Sequence, residues 1–221
     1  VERIALLEGV RDEGLFLLKS AALFHDAGFV KQYEHNEPIG AAMAEAMLPK
    51  YGYNEQHIKT IKELIFVTQI PHKPVNKLQE IMCDADLDYL GREDYIVNSN
   101  KFLQEIQLNK KISELEWLSI QDKFLRAHHY FTTRSINCRE AKKQERLKMI
   151  QEQIHTDVRA LIEELPEEQK EVLIMRMYRD MSFKEISENT GVSINTALGR
   201  MRYALMNMRK LIEKNKIILV N

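Results

Sequence analysis

The sequence predicts an all-α fold: a helical bundle followed by a small helix-turn-helix domain. Three observations predict it. Apolar residues recur at the three- and four-residue spacing of a helix face along nearly the whole chain. The 221 residues include only 8 Gly and 5 Pro, and no proline follows Pro166, so breakers are too few for a turn-rich sheet protein. Two serine–glutamate pairs, Ser113 with Glu116 and Ser182 with Glu185, have the spacing of a capping box, in which the serine oxygen accepts an orphan amide and the glutamate reaches back.

In chain order, helices are expected at 1–10, 14–27, 37–48, 54–69, 75–89, 92–107, 114–128 and 131–153, then at 156–164, 167–179, 183–190 and 194–214. Breaks fall at Gly28, Pro49 to Gly52, Pro71 to Pro74 and Gly91. The stretch from Arg139 to Gln153 is charged and poor in large apolar residues, which marks a boundary or connecting helix. It divides the chain into a bundle at 1–150 and a smaller domain at 156–221 that is marginal alone.

No apolar run reaches the ~18 residues of a membrane span, so no membrane partner is expected. The start, Val1-Glu2-Arg3-Ile4, is already amphipathic and carries no signal-peptide core. Two cysteines, Cys83 and Cys138, make no disulfide framework, and the expected location is cytoplasmic. The net charge of -1 is unevenly spread. From Ala197 to the end stand Arg200, Arg202, Arg209, Lys210, Lys214 and Lys216 against Glu213 alone, six positive minus one negative. A local basic helix of this kind is a cue for nucleic acid.

Two constellations carry chemistry. In the first, Leu15, Leu18, Ala22, His25 and Asp26 share one helical face, so the His-Asp pair continues a core-facing stripe. Burying a carboxylate beside an imidazole is unfavourable unless a partner such as a divalent cation compensates. On the helix from Val75, the stripe Leu78, Met82, Ala85 and Tyr89 puts Asp86 at its edge, while Lys77, Glu80, Asp84 and Asp88 form the opposite polar face. Asp86 is therefore the expected inward carboxylate. An imidazole and two carboxylates suit Mn, Mg, Fe or Zn. A metal so held lowers the pKa of a bound water and clamps a phosphoryl oxygen. His35, His57 and His72 are further candidate ligands, His35 the best placed, and Lys31 is a candidate contact for substrate phosphate. His128-His129 point about 100° apart on a helix and are expected to be structural. Trp117 and Phe124 are expected to pack.

The strings Leu23-Phe24-His25-Asp26-Ala27-Gly28 and Cys83-Asp84-Ala85-Asp86-Leu87-Asp88 resemble the HD-domain metal-dependent phosphohydrolases over roughly residues 1–150. The resemblance implies an HD-type helical bundle, metal ligation and catalysis by His25, Asp26 and Asp86, and a phosphorylated small molecule or nucleotide as substrate. The family also has a histidine ligand one helix before the His-Asp pair, and residues 1–24 contain none.

In the second constellation, Ser182 caps a short helix, Thr190-Gly191-Val192 makes a tight turn, and Ser193 caps the next helix. Ile194, Ala197, Met201, Leu205, Met208 and Ile212 are expected to face inward, and Asn195, Thr196, Gly199, Arg200 and Tyr203 outward. The N-terminal part of such a second helix enters the major groove. Asn195 and Thr196 are candidates for base edges, Arg200 for a guanine or phosphate, and Ser193, Arg202, Tyr203, Arg209 and Lys210 for further contacts.

The runs Leu165-Pro166-Glu167-Glu168-Gln169-Lys170-Glu171-Val172, Met181-Ser182-Phe183-Lys184-Glu185-Ile186 and Gly191-Val192-Ser193-Ile194-Asn195-Thr196 resemble region 4 of bacterial sigma factors, particularly the extracytoplasmic-function kind. That resemblance implies double-stranded promoter DNA and RNA polymerase as partners. Leu198-Gly199 departs from it, since a basic-small pair is more usual there. Three readings follow: a phosphohydrolase domain with a DNA-binding tail, a DNA-binding regulatory protein whose bundle is inactive or structural, or a chimera of two unrelated truncated domains.

Overall fold

The computed structural model describes residues 1–214, and among them every regular element is helical, with no strand. The α-helices are α1 (Glu2–Leu7), α2 (Asp12–Phe24), α3 (Glu37–Met47), α4 (Glu55–Phe66), α5 (Lys77–Asp86) and α6 (Tyr95–Asn109). There follow α7 (Glu114–Ala127), α8 (Thr133–Glu163), α9 (Glu167–Tyr178), α10 (Phe183–Thr190) and α11 (Ile194–Lys214). Single 3-10 turns stand at Ala27–Val30, Leu48–Tyr51 and Asp88–Gly91. Lys216, counted above among the basic residues, lies outside the described residues. No described helix is long and apolar enough to cross a membrane.

Side-chain caps set several helix starts. Asn54 Oδ1 accepts from His57 N at 2.8 Å to begin α4, and Asn76 Oδ1 accepts from Gln79 N at 3.0 Å to begin α5. The helices expected at 131–153 and 156–164 are one continuous helix, α8. The two residues between them, Ile154 and His155, include no Gly or Pro, and Thr156 Oγ1 bonds back to Glu152 O at 2.9 Å inside the helix.

The chain forms two compact units. One comprises Val1–Ser99 with His128–Glu145; the other comprises Asn100–Ala127 with the chain from Arg146 on. The first unit centres on Leu17, Leu18 and Ala21 of α2, Ala41 and Ala44 of α3, Ile61, Leu64 and Ile65 of α4, and Ile81 and Met82 of α5. Each fully buried Leu or Ile contributes about 1.5–3 kcal/mol. Small alanines let the helices approach. Gly40 carries this furthest: a Cβ there would lie 2.3 Å from Phe24 O, so only glycine lets α3 seat against the end of α2.

The second unit packs Ile162 and Leu165 with Val172, Leu173 and Met175 of α9, Ile186 of α10, and Ala197, Met201 and Ala204 of α11. The expected inward face of α11 is corrected at two positions. Ile194 and Leu205 are exposed, and Ala204 is buried in place of Leu205. The spacing 197, 201, 204, 208 follows the true helical period, whereas two successive steps of four, from 197 through 201 to 205, drift off the buried face.

Candidate metal centre and nucleic-acid interface

His25 follows the last residue of α2, and its backbone N–H still bonds Ala21 O at 2.9 Å, so the ring is placed by a helix end rather than a free loop. Its Nδ1 lies 2.9 Å from Ala22 O. A carbonyl can only accept, so Nδ1 carries a hydrogen and Nε2 is the variable atom. Nε2 faces two carboxylates, Asp26 Oδ2 at 3.2 Å and Asp86 Oδ1 at 3.3 Å. One ligand atom from each of the three residues lies within 4.8 Å of the other two.

The electrostatics of this triad are unbalanced. Burial alone would lower the His25 pKa, but the hydrogen bond to Asp86 and the charges of Asp26 and Asp86 outweigh it and raise the value. The Asp26 pKa is also raised, first by burial, with Asp86 and Glu37 adding and His25 opposing. In its neutral tautomer His25 aims an Nε2 lone pair at two anions. That arrangement favours a proton or a cation between them.

Several expectations are corrected here. Asp26 was expected on a core-facing stripe, yet its side chain is 59% exposed; the chain turns into the 27–30 segment after His25 and carries the carboxylate to the surface. Asp84 was expected on a solvated face, yet it is fully buried. Its carboxylate accepts from Phe131 N at 2.9 Å, Thr132 N at 2.8 Å and Thr132 Oγ1 at 2.6 Å. The segment before α8 covers that side of α5, and Asp84 anchors it there. His35 is exposed, has φ 55°, and lies outside the three-residue group. Lys31 is exposed just past the 27–30 turn.

The histidine ranked lower by sequence, His72, is the one that arrives. Its Nε2 is 4.0 Å from Asp86 Oδ2 and 3.1 Å from Thr68 O, with the side chain only 6% exposed. Its position in the Pro71 to Pro74 break gave no periodicity from which to read its direction. His57 instead bonds Glu13 Oε1 at 2.9 Å. His128 is buried, and burial first, then the Lys143 charge, pushes its pKa down to about 3, so it stays neutral inside the first unit. Cys83 is buried beside the triad, and its thiol donates to Val67 O. Burial and then Asp84 and Asp86 push its pKa up to about 12, which excludes a thiolate nucleophile there.

In the second unit the local chemistry of 182–203 builds the expected turn. Ser182 Oγ accepts from Glu185 N, and Glu185 Oε2 accepts from Ser182 N at 2.7 Å, completing the capping box. Gly191 ends α10 with φ 69°, a left-handed conformation that residues with a Cβ adopt poorly. Ser193 Oγ then accepts from Thr196 N at 3.1 Å and starts α11. Ser193, Asn195, Thr196, Arg202 and Tyr203 are exposed. Thr196 Oγ1 lies 2.9 Å from Ser193 Oγ, so both hydroxyls serve the cap. Arg200 is half-buried, and Glu168 Oε2 of α9 lies 2.9 Å from its Nη2.

Comparison with known proteins bears on this unit. Over 54 residues the chain is 39% identical to the RNA polymerase sigma factor SigV of Bacillus subtilis (strain 168), a match covering 24% of this chain and 32% of that protein. The chain thus spans about a third of the length of the curated relative it matches. No solved structure matches. Residues 155–206 match the family model for Sigma-70, region 4, and this segment has the α10–turn–α11 geometry of a helix-turn-helix.

Proposed function

We propose that the second unit binds double-stranded promoter DNA through α11, with RNA polymerase as a further partner, in the cytoplasm. The observation that carries this reading is the coincidence of the region 4 match with a capped helix, a left-handed glycine turn and a second capped helix that exposes Asn195 and Thr196 at its start and Arg202 about two turns on. Asn195 and Thr196 face base edges, while Arg202, Tyr203, Arg209 and Lys210 serve the phosphate backbone. The test is a salt titration of binding to duplex DNA. Arg202→Ala is expected to weaken binding evenly across sequences and to reduce the salt slope by about 1. Asn195→Ala is expected to relax discrimination between sequences. Binding that is undetectable, or indifferent to salt, removes the reading.

A second reading concerns the first unit and rests on the meeting of His25, Asp26 and Asp86. These residues fit a divalent cation, Mn, Mg, Fe or Zn, because two carboxylates flank a nitrogen whose other ring atom is already committed to Ala22 O. His25, Asp26 and Asp86 would hold it, His72 would steady Asp86, and His35 and Lys31 are left as candidates for a second metal and a phosphate. A cation so placed would supply a lowered pKa for a bound water and a clamp for a phosphoryl oxygen, the chemistry of an HD-type phosphohydrolase acting on a phosphorylated small molecule or nucleotide. Elemental analysis of the purified protein tests it. About one divalent ion per chain is expected, and Asp86→Ala is expected to weaken its binding at least about 100-fold. Metal-free protein that takes up no added Mn²⁺ would sink the hydrolase reading and leave the bundle a structural partner of the DNA-binding unit.

A further inference from the structure

Arg200 was expected on the DNA-facing side of the second helix. The guanidinium is instead engaged within the protein: Nη2 lies 2.9 Å from Glu168 Oε2, and the arginine side chain is only 20% exposed. Glu168 sits in the first turn of α9 and is itself 70% exposed. The acid therefore stands at the rim of the basic surface that would receive the duplex. Nothing in the packing demands it there. The α9–α11 contact is already held by the buried Val172, Leu173, Ala197, Met201 and Ala204. A neutral bond, Asn207 Nδ2 to Gln169 Oε1 at 2.9 Å, ties the same flank two turns further along α11.

A carboxylate beside an arginine offers the same paired oxygens and negative charge that a DNA phosphate offers. We infer that Glu168 is an internal stand-in for a phosphate, which holds Arg200 until duplex DNA displaces it. This rests on the DNA-binding reading of α11. Free protein keeps Arg200 neutralised. On binding, the guanidinium exchanges carboxylate for phosphate, and the exposed Glu168 side chain swings toward solvent. The exchange makes wild-type binding weaker and less salt-dependent than the number of basic residues implies. The cost falls equally on every duplex whose phosphate takes Arg200, so Glu168 lowers affinity without reading sequence.

The test is a two-by-two set of full-length proteins: wild type, Glu168→Gln, Arg200→Ala and the double variant, titrated with a mixed-sequence duplex over a range of salt. Glu167→Gln removes the same charge one residue away, from an acid that pairs with Lys170 at 2.9 Å, and is the control for general charge. Glu168→Gln is expected to bind about threefold to fivefold tighter than wild type, the size of an exposed ion pair. Its salt slope is expected to steepen by up to about 0.9, one further phosphate's worth. Both changes are expected to vanish in the Arg200→Ala background and to be smaller for Glu167→Gln. Equal affinity of Glu168→Gln and wild type overturns the inference. So does an equal gain in the Arg200→Ala background, which would mean general charge relief. If wild type binds no duplex at any salt, the DNA-binding reading itself fails, a result distinct from either of these.

Discussion

The two units place charge in opposite ways. In the first, an imidazole and two carboxylates from helices far apart in sequence meet at one point, and like charges are left facing each other until a proton or cation intervenes. In the second, the functional groups lie within one short run, on a helix whose start is fixed by its own serine cap and a glycine turn. There the excess charge is positive and an acid from α9 partly offsets it. One site is made by tertiary packing and the other by local chain geometry. They should therefore fail differently when perturbed.

The largest contrast is expected from the core of the second unit. Ile186 is fully buried among α9, α10 and α11, and Ile186→Ala should destabilise that unit by about 2–4 kcal/mol through lost burial and a residual cavity. Amide exchange is the measurement: protection should fall in α9 to α11, while metal uptake by the first unit stays intact. Loss of protection in both units together would mean that they unfold as one.

A smaller effect, about 1.4 kcal/mol per pH unit for each proton exchanged, should separate the proposed metal centre from the proposed DNA surface. The raised His25 pKa means that the metal-free first unit gains stability from the protonated ring. That gain is fully present below the unfolded value near ~6.5 and is lost as pH rises through the folded one. The raised Asp26 pKa has the same sign, but its window opens at the ordinary carboxylate value of ~3.9, below that of the imidazole. A cation bound at the triad would take over the proton's place. The rise in melting temperature produced by Mn²⁺ should therefore grow between about pH 6 and pH 8. A rise independent of pH would mean that no proton is exchanged at His25.

The smallest effect is local. Ser182→Ala removes half of the reciprocal cap of α10 and should destabilise the second unit by about 1 kcal/mol, read from its melting curve, with DNA affinity reduced only as far as that unit frays. A change of several kcal/mol would indicate that the turn is coupled to more of the molecule than its two hydrogen bonds.

The sequence was most legible where the determinants are local. The limits of α10, the start of α11, both caps and the glycine turn were readable because each depends on neighbours a few residues away. The triad was legible by a different route. Helical spacing on α5 put Asp86 at the edge of an apolar stripe, and it does meet His25. The same spacing failed for Asp84, because the residues that bury it, Phe131 and Thr132, come from the segment before α8, and no pattern on α5 encodes their arrival. His72 was underrated for a related reason: it lies in a Pro-bounded break with no period to give it a direction. On α11, stepping by four placed Leu205 inside where Ala204 belongs. A residue's face was predictable when its own helix decided it and opaque when another segment did.

The continuity of α8 has a consequence for how the molecule can be taken apart. Thr133–Glu163 is one uninterrupted rod, and its residues are divided between the two bodies. Severing it at position 150 would strand four carbonyls on one piece and four amides on the other. It would also strip the downstream piece of Leu147, which the intact chain keeps buried. Fragments meant for separate study should be divided outside this rod, or carry the whole of it.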